Sequence, residues 1–286
     1  MNPCIGQVTT LPSAFDADLR DYSRVGCHAI EVWLTKLESF LANRSVSEVR
    51  ALMQTNDIKF VAASVQGGIL LTQGDARNES FSLFRRRLEL CRELDIRTLV
   101  VVVDFVESGT WADFERAVSS LKEAAQLASQ FSVRLALEFQ GRGRFCNNLS
   151  TAAALVAHAA EPNVGLCLDV FHYYTGPSKF EDLALVSSEN LFHVQVSDLA
   201  GIPRELATDS DRILPGDGDF QLQPIIDHLR NIGYADYVSV ELMNPRIWQV
   251  PTLQTAEITL TALRALLGHT QSARAETHVG KRFVRN

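Results

Sequence analysis

Glu138, Asp169, Gln195 and Glu241 each stand at or near the end of a short apolar run: "LALEF", "GLCLD", "HVQVSD" and "YVSVEL". Three carboxylates and one amide offer oxygen donors only. If the four converge, the carboxylates repel one another, and burying each unpaired costs several kcal/mol. A divalent cation is the simplest countercharge. An all-oxygen set suits a hard metal, with Mn²⁺ expected first and Mg²⁺ or Co²⁺ also compatible. One acid at a strand end reads equally well as an ion pair or a hydrogen bond. Four aligned ends favour a shared site.

The surrounding pattern supplies a scaffold that could bring them together. Short apolar runs alternate with amphipathic stretches along the whole chain. Strands are expected near 5–9, 29–34, 59–66, 98–105, 134–139, 164–170, 191–198 and 237–242. Helical periodicity occupies 45–56, 79–94, 111–130, 151–160, 220–232 and 253–267. Eight strand–helix units predict a single α/β domain, a closed (β/α)₈ TIM barrel, with an open doubly wound sheet as the alternative. Strand alternation puts Leu135, Leu137, Leu166, Leu168, Val238 and Val240 toward the helices. It puts Ala136, Glu138, Gly165, Cys167, Asp169, Ser239 and Glu241 inside. In Leu191–Asp198 the same rule groups Phe192, Val194 and Val196 on one face and His193, Gln195 and Ser197 on the barrel side. The C-terminal mouth, where the four donors would end, is where barrel enzymes place their chemistry.

Bulk properties narrow the classes. The chain has 286 residues, is 46% hydrophobic and carries a net charge of −7, with a pI near 5.5. Such an acidic chain is a poor nucleic-acid binder. No apolar run reaches the length of a membrane span. "MNPCIGQVTT" lacks the charged start and apolar core of a secretory leader. The five scattered cysteines have no CxxC pair and read as reduced thiols of a cytoplasmic enzyme. The barrel is expected over 1–268. The polar, basic stretch 269–286 is expected to be a poorly ordered tail.

The segments "AIEVWLTKLE", "LALEF", "GLCLDVFH", "HVQVSD", "RILPGDGDF" and "GYADYVSVELMNP" together resemble the xylose isomerase-like barrel superfamily, in particular its sugar-phosphate isomerase/epimerase group. The resemblance extends to about Gly268. It implies that Glu138, Asp169, the position of Gln195 and Glu241 ligate a metal, at separations of 31, 26 and 46 residues. It also implies that His172 and Arg212 contact substrate oxygens. Many members carry His where Gln195 stands. Some dehydratase-like branches carry Gln, whose carbonyl ligates a hard metal but cannot titrate. His193, two residues earlier, reads as an interior hydrogen-bonded histidine rather than a ligand.

Around the mouth, Trp33 is placed either to wall a sugar pocket or to pack in the core. Gln66 ends the third strand on the expected inward side, before a Gly67–Gly68 turn. Lys36, Arg142 and Arg144 read more readily as solvated than as anion-binding. Trp248 could close the pocket or seed a subunit contact, so a homo-oligomer is compatible with the sequence.

These readings combine into a divalent-metal-dependent isomerase/epimerase. Its substrate would be a small keto-sugar or keto-polyol, converted through a metal-stabilised enediolate. Glu138 and Glu241 would exchange the proton from opposite sides. The main alternative is a lyase on the same frame: a 3-dehydroshikimate or keto-inositol dehydratase, or an eliminator of 3-keto-glycosides. Some dehydratases of this type place a catalytic His two residues after the first ligand, where this chain has Gln140. An endonuclease IV-like branch would need many His ligands, and a non-catalytic sugar-binding barrel would leave two opposed glutamates without a purpose.

Overall fold

The computed structural model describes residues 1–105 and 109–269; nearly all of the expected tail lies outside them. Eight parallel strands close into one barrel in chain order. They are β1 (Asn2–Gly6), β2 (Ala29–Trp33), β3 (Lys59–Gln66), β4 (Thr98–Val102), β5 (Arg134–Glu138), β6 (Val164–Asp169), β7 (Leu191–Val196) and β8 (Tyr237–Val240). The helices are α1 (Phe15–Arg24), α2 (Leu34–Leu41), α3 (Val46–Thr55), α4 (Gly74–Glu93), α5 (Trp111–Ser129), α6 (Leu149–Ala159), α7 (Val170–Thr175), α8 (Leu222–Asn231) and α9 (Thr252–Leu266). The expected (β/α)₈ barrel is what the chain forms. None of the described helices is long and apolar enough to cross a membrane.

Local chemistry explains the helix starts. Ser45 and Glu48 form a reciprocal capping box at α3, as Thr110 and Asp113 do at α5. Asn148 accepts from Thr151 N–H at the start of α6. α6 ends at Ala160 in a left-handed conformation (φ 52°), just before Glu161–Pro162.

Most of the expected strands run past their observed ends. The first is shifted: it begins at Asn2, where Asn2 N–H bonds Asp236 C=O and the register with β8 starts. It stops at Gly6, and Gln7–Thr10 form a 3₁₀ turn instead. Thr9 explains that turn, because its hydroxyl donates to Val240 C=O and accepts from Leu242 N–H across the rim. At the end of β7, Asp198 leaves the ladder. Its carboxylate gathers the N–H groups of Leu199, Gly216 and Phe220, so the chain turns into a loop.

The apolar material forms two layers. Leu135, Leu137, Leu166, Leu168, Val238 and Val240 join the large shell between strands and helices. A small separate cluster of Val100, Ala136, Cys167 and Phe192 fills the barrel interior. Phe192 departs from the alternation expected for it. β7 pairs Leu191 with Leu166 but His193 with Cys167, so Phe192 is the extra residue of a bulge and turns inward. Gly165 makes room for it: a Cβ there would lie 2.7 Å from the Phe192 ring. The Arg134 guanidinium covers the ring at 4.8 Å. All five cysteines are buried and free.

Candidate active site at the C-terminal mouth

Each expected donor is delivered by a strand end or by the residue after it. Glu138 closes β5 and Asp169 closes β6. Gln195 lies one residue before the end of β7, directly beside Asp169 in the register. Glu241 follows β8 and is tied by its N–H to Val196 C=O. All four are buried.

Asp169 has a second task. Its Oδ1 accepts from Phe171 N–H at 2.7 Å, which caps α7 directly off the strand. That turn brings His172 back over the mouth. His172 Nε2 lies 3.4 Å from Glu138 Oε1 and 3.7 Å from Asp169 Oδ2. Glu138, Asp169 and His172 can each present a ligand atom within 4.8 Å of the others. His172 therefore stands inside a possible metal-ligand cluster, where the resemblance implied a contact to substrate oxygen. The short helix that carries it was not legible in "DVFHYYT".

Arg212 enters from the loop after β7 and is 1% exposed. Its Nη2 donates to Asp169 Oδ2 at 2.7 Å and to Asp209 Oδ1 at 2.8 Å, and its Nη1 lies 3.2 Å from Glu241 Oε2. The guanidinium carbon sits 4.4 Å over the Phe171 ring. Arg212 comes from a loop rich in Asp, Gly and Pro, a setting that ordinarily leaves an arginine in solvent. The structure instead makes it the cationic centre of the mouth.

Gln195 turns its nitrogen toward carboxylates. Nε2 donates to Glu31 Oε1 at 2.8 Å and to Glu241 Oε1 at 3.3 Å, while Oε1 faces Cys167 Sγ at 3.1 Å. One layer deeper, His193 Nε2 is 3.0 Å from Glu31 Oε2. His193 is thus the hydrogen-bonded interior histidine that was expected. Sequence reasoning missed the part played by Glu31. The signal was available: an acid in "AIEVW", flanked by apolar residues on an inward position.

Other expected residues lie elsewhere. Gln66 is buried but turned away: it accepts from Arg87 of α4 and donates to Gly67 C=O. The cause is an irregularity in the β3–β4 register between Ala63 and Gln66, which breaks strict alternation. Trp33 is half-buried at the end of β2, and its N–H bonds Gln7 Oε1. Lys36, expected to be solvated, sits on α2 with an 8% exposed side chain. It pairs with fully buried Asp18 at 2.5 Å. Trp248 Nε1–H donates to Val8 C=O, pinning the loop after β8 to the first strand's turn. Arg142 is exposed and bonds Ala207 C=O. Gln140 Nε2 donates to Glu138 Oε1 at 2.6 Å.

The electrostatics follow from crowding. Burial raises the Glu138 carboxyl above its usual range, and the Asp169 charge adds to this against the pull of His172 and Arg212. Burial raises Glu241 further, with Asp169, Glu138 and Glu31 adding to it and Arg212 opposing. For His172, burial pulls downward, but Asp169 and Glu138 outweigh it and the net displacement is upward. Glu31 goes the other way: burial would raise it, but His193 and Ser64 bring it down to about 2. The mouth therefore gathers more carboxyl groups than Arg212 alone can neutralise. His172 Nδ1 is buried without a hydrogen-bond partner among the described residues. This donor set fits a divalent cation.

Residues 19–266 match the family model described as a xylose isomerase-like TIM barrel. The chain belongs to that family. An inosose isomerase of Bacillus velezensis is 29% identical over 273 residues, spanning 92% of this chain and 97% of that protein. A 3-dehydroshikimate dehydratase of Pseudomonas aeruginosa is 28% identical over 184 residues, 64% of this chain but 28% of that protein. Among solved structures, the IOLI protein with a binding zinc atom superposes with a TM-score of 0.89 at 27% identity, covering 95% of this chain and all of that one.

Proposed function

We propose that the chain is a divalent-metal-dependent isomerase/epimerase acting on a small keto-sugar or keto-polyol, with an inosose-like ring ketone as the first candidate. The observation that carries this reading is the pair Glu138 and Glu241. Both are buried at the mouth with raised proton affinity, on either side of the Asp169–His172–Arg212 group. The full-length similarity to inosose isomerases supports the substrate class.

Glu138, Asp169 and His172 would hold the cation, with Glu241 and Gln195 completing the set. Mn²⁺ is the proposed ion; the zinc of the IOLI structure shows that a relative's barrel takes a divalent metal. When bound, such an ion supplies Lewis acidity to carbonyl and hydroxyl oxygens. The chain's own residues do the rest. Ligation to the cation would keep these carboxylates ionised, and burial at the mouth would partly restore their basicity toward the pH at which they must work. One of Glu138 and Glu241 takes the proton beside the ketone and the other returns it. Arg212 donates to the oxygen that gains negative charge. Gln140 holds Glu138 Oε1, which orients that carboxylate. The catalytic unit is the barrel over 1–268, acting in the cytoplasm on a small molecule.

The test is proton NMR in D₂O with Mn²⁺ and a panel of keto-inositols, keto-sugars and 3-dehydroshikimate. Deuterium entry at the carbon beside the ketone, with no loss of water, is the expected result. A conjugated enone would establish the lyase reading instead, which Gln195 and the partial likeness to a dehydratase favour. Neither product with any of these ketones would overturn both.

A further inference from the structure

An amide differs from an imidazole in having two ends of equal size and opposite hydrogen-bonding character. Which end of Gln195 faces which neighbour is therefore set by the neighbours. On one side stand two carboxylate oxygens, Glu31 Oε1 and Glu241 Oε1, at 2.8 and 3.3 Å from Nε2. On the other, Cys167 Sγ–H points at Oε1. Reversing the amide would press Oε1 against both carboxylates and lose every one of these bonds.

Glu31 is built to hold its end. It is 1% exposed, and Ser64 Oγ donates to its Oε1 at 2.5 Å while His193 occupies Oε2. A carboxylate pinned on both oxygens accepts only, so it admits the nitrogen of Gln195 and refuses the oxygen.

We propose that Glu31 is a positioning residue of the mouth: by accepting from Gln195 Nε2 it turns Oε1 toward β6, onto Cys167 and beside Asp169 in the register, and so sets the affinity of the site for a divalent cation. This role rests on the cation reading given above. Glu31 touches neither substrate nor cation. His193 serves the same end by anchoring Glu31, and its Nε2 is committed to that bond.

The experiment is Mn²⁺ titration of the full chain after chelator treatment, with free ion counted by electron paramagnetic resonance. Wild type, Glu31→Gln, Gln195→Glu and the swap Glu31→Gln/Gln195→Glu are compared. Glu31→Gln offers an amide with both characters, so the orientation of Gln195 is no longer dictated. Mn²⁺ affinity should fall roughly 10–100-fold, the usual cost of losing an outer partner of a ligand. The swap restores one carboxylate facing one amide, with oxygen necessarily at the ligand end. Its affinity should return to within about 10-fold of wild type and exceed that of Gln195→Glu alone, in which two carboxylates face each other; a merely structural role for Glu31 would not place the swap above that single variant. Unchanged affinity in Glu31→Gln, or a swap that binds no better than either single variant, overturns the role while leaving the cation reading intact. If Glu31→Gln shows no cooperative thermal transition, the swap decides alone: recovery supports the role and loss overturns it. A wild type that takes up no Mn²⁺ overturns the cation reading, and this role with it.

Discussion

Arg212 Nη2 lies 2.7 Å from Asp169 Oδ2, and the two side chains are 1% and 0% exposed. This is a buried ion pair, extended by Asp209 and Glu241 on the same guanidinium. Removing the cation leaves several carboxylates uncompensated in the barrel. Arg212→Ala should lower unfolding free energy by about 3–5 kcal/mol, measured by urea denaturation. A loss below about 1 kcal/mol would mean that water reaches the pair freely.

Glu241 follows β8 and would serve as one of the two proton carriers. Glu241→Gln should keep the fold and the compact mouth but reduce kcat at least about 10²-fold, the scale of a general acid or base. Near-normal kcat, with Mn²⁺ content equal to wild type, would remove Glu241 from that role.

The same carboxyl predicts a pH dependence of stability. Burial raises its proton affinity above the ordinary value of 4.5. Over the interval above 4.5 the folded chain keeps a proton that the unfolded chain has lost. Its contribution to stability therefore falls as pH rises through that interval. Chelator-treated wild type should lose stability from mildly acid to neutral pH more steeply than Glu241→Gln, read as thermal midpoints across a pH series. Parallel curves would show that Glu241 is already ionised throughout.

Lys36 Nζ is 2.5 Å from Asp18 Oδ2 and also donates to Thr10 C=O. Gln7 and Thr10 bond the same carboxylate. Lys36→Met should cost about 3–5 kcal/mol by stranding Asp18, whereas the paired change Lys36→Met/Asp18→Leu should recover much of that loss. Equal losses in the single and double variants would locate the damage in Gln7 and Thr10 instead. Chemical denaturation of both variants makes the comparison.

Much of the fold was legible because a half-buried strand and an amphipathic helix write their periods into the sequence. "LALEF" and "GLCLD" sort their leucines outward and their acids inward by alternation alone, and the structure keeps that sorting at Leu135, Leu137, Glu138 and Asp169. Alternation failed where pairing slips by a residue. Phe192 turned inward at a bulge and Gln66 turned outward at a register irregularity, because register is a property of two strands and neither writes it alone.

By itself, the sequence determined the alternation of eight strands with helices and the set of acids that end the strands, since each of these is a matter of local pattern and count. Only the tertiary structure decided the partners. It brought Arg212 from a polar loop into the centre of the acids, and it bent "DVFH" so that His172 joined them. It also set Glu31 and Gln195 face to face from strands 164 residues apart in the chain. The physical reason is that charge compensation and amide orientation depend on distances of about 3 Å between groups far apart in sequence. Those distances exist only once the barrel has closed.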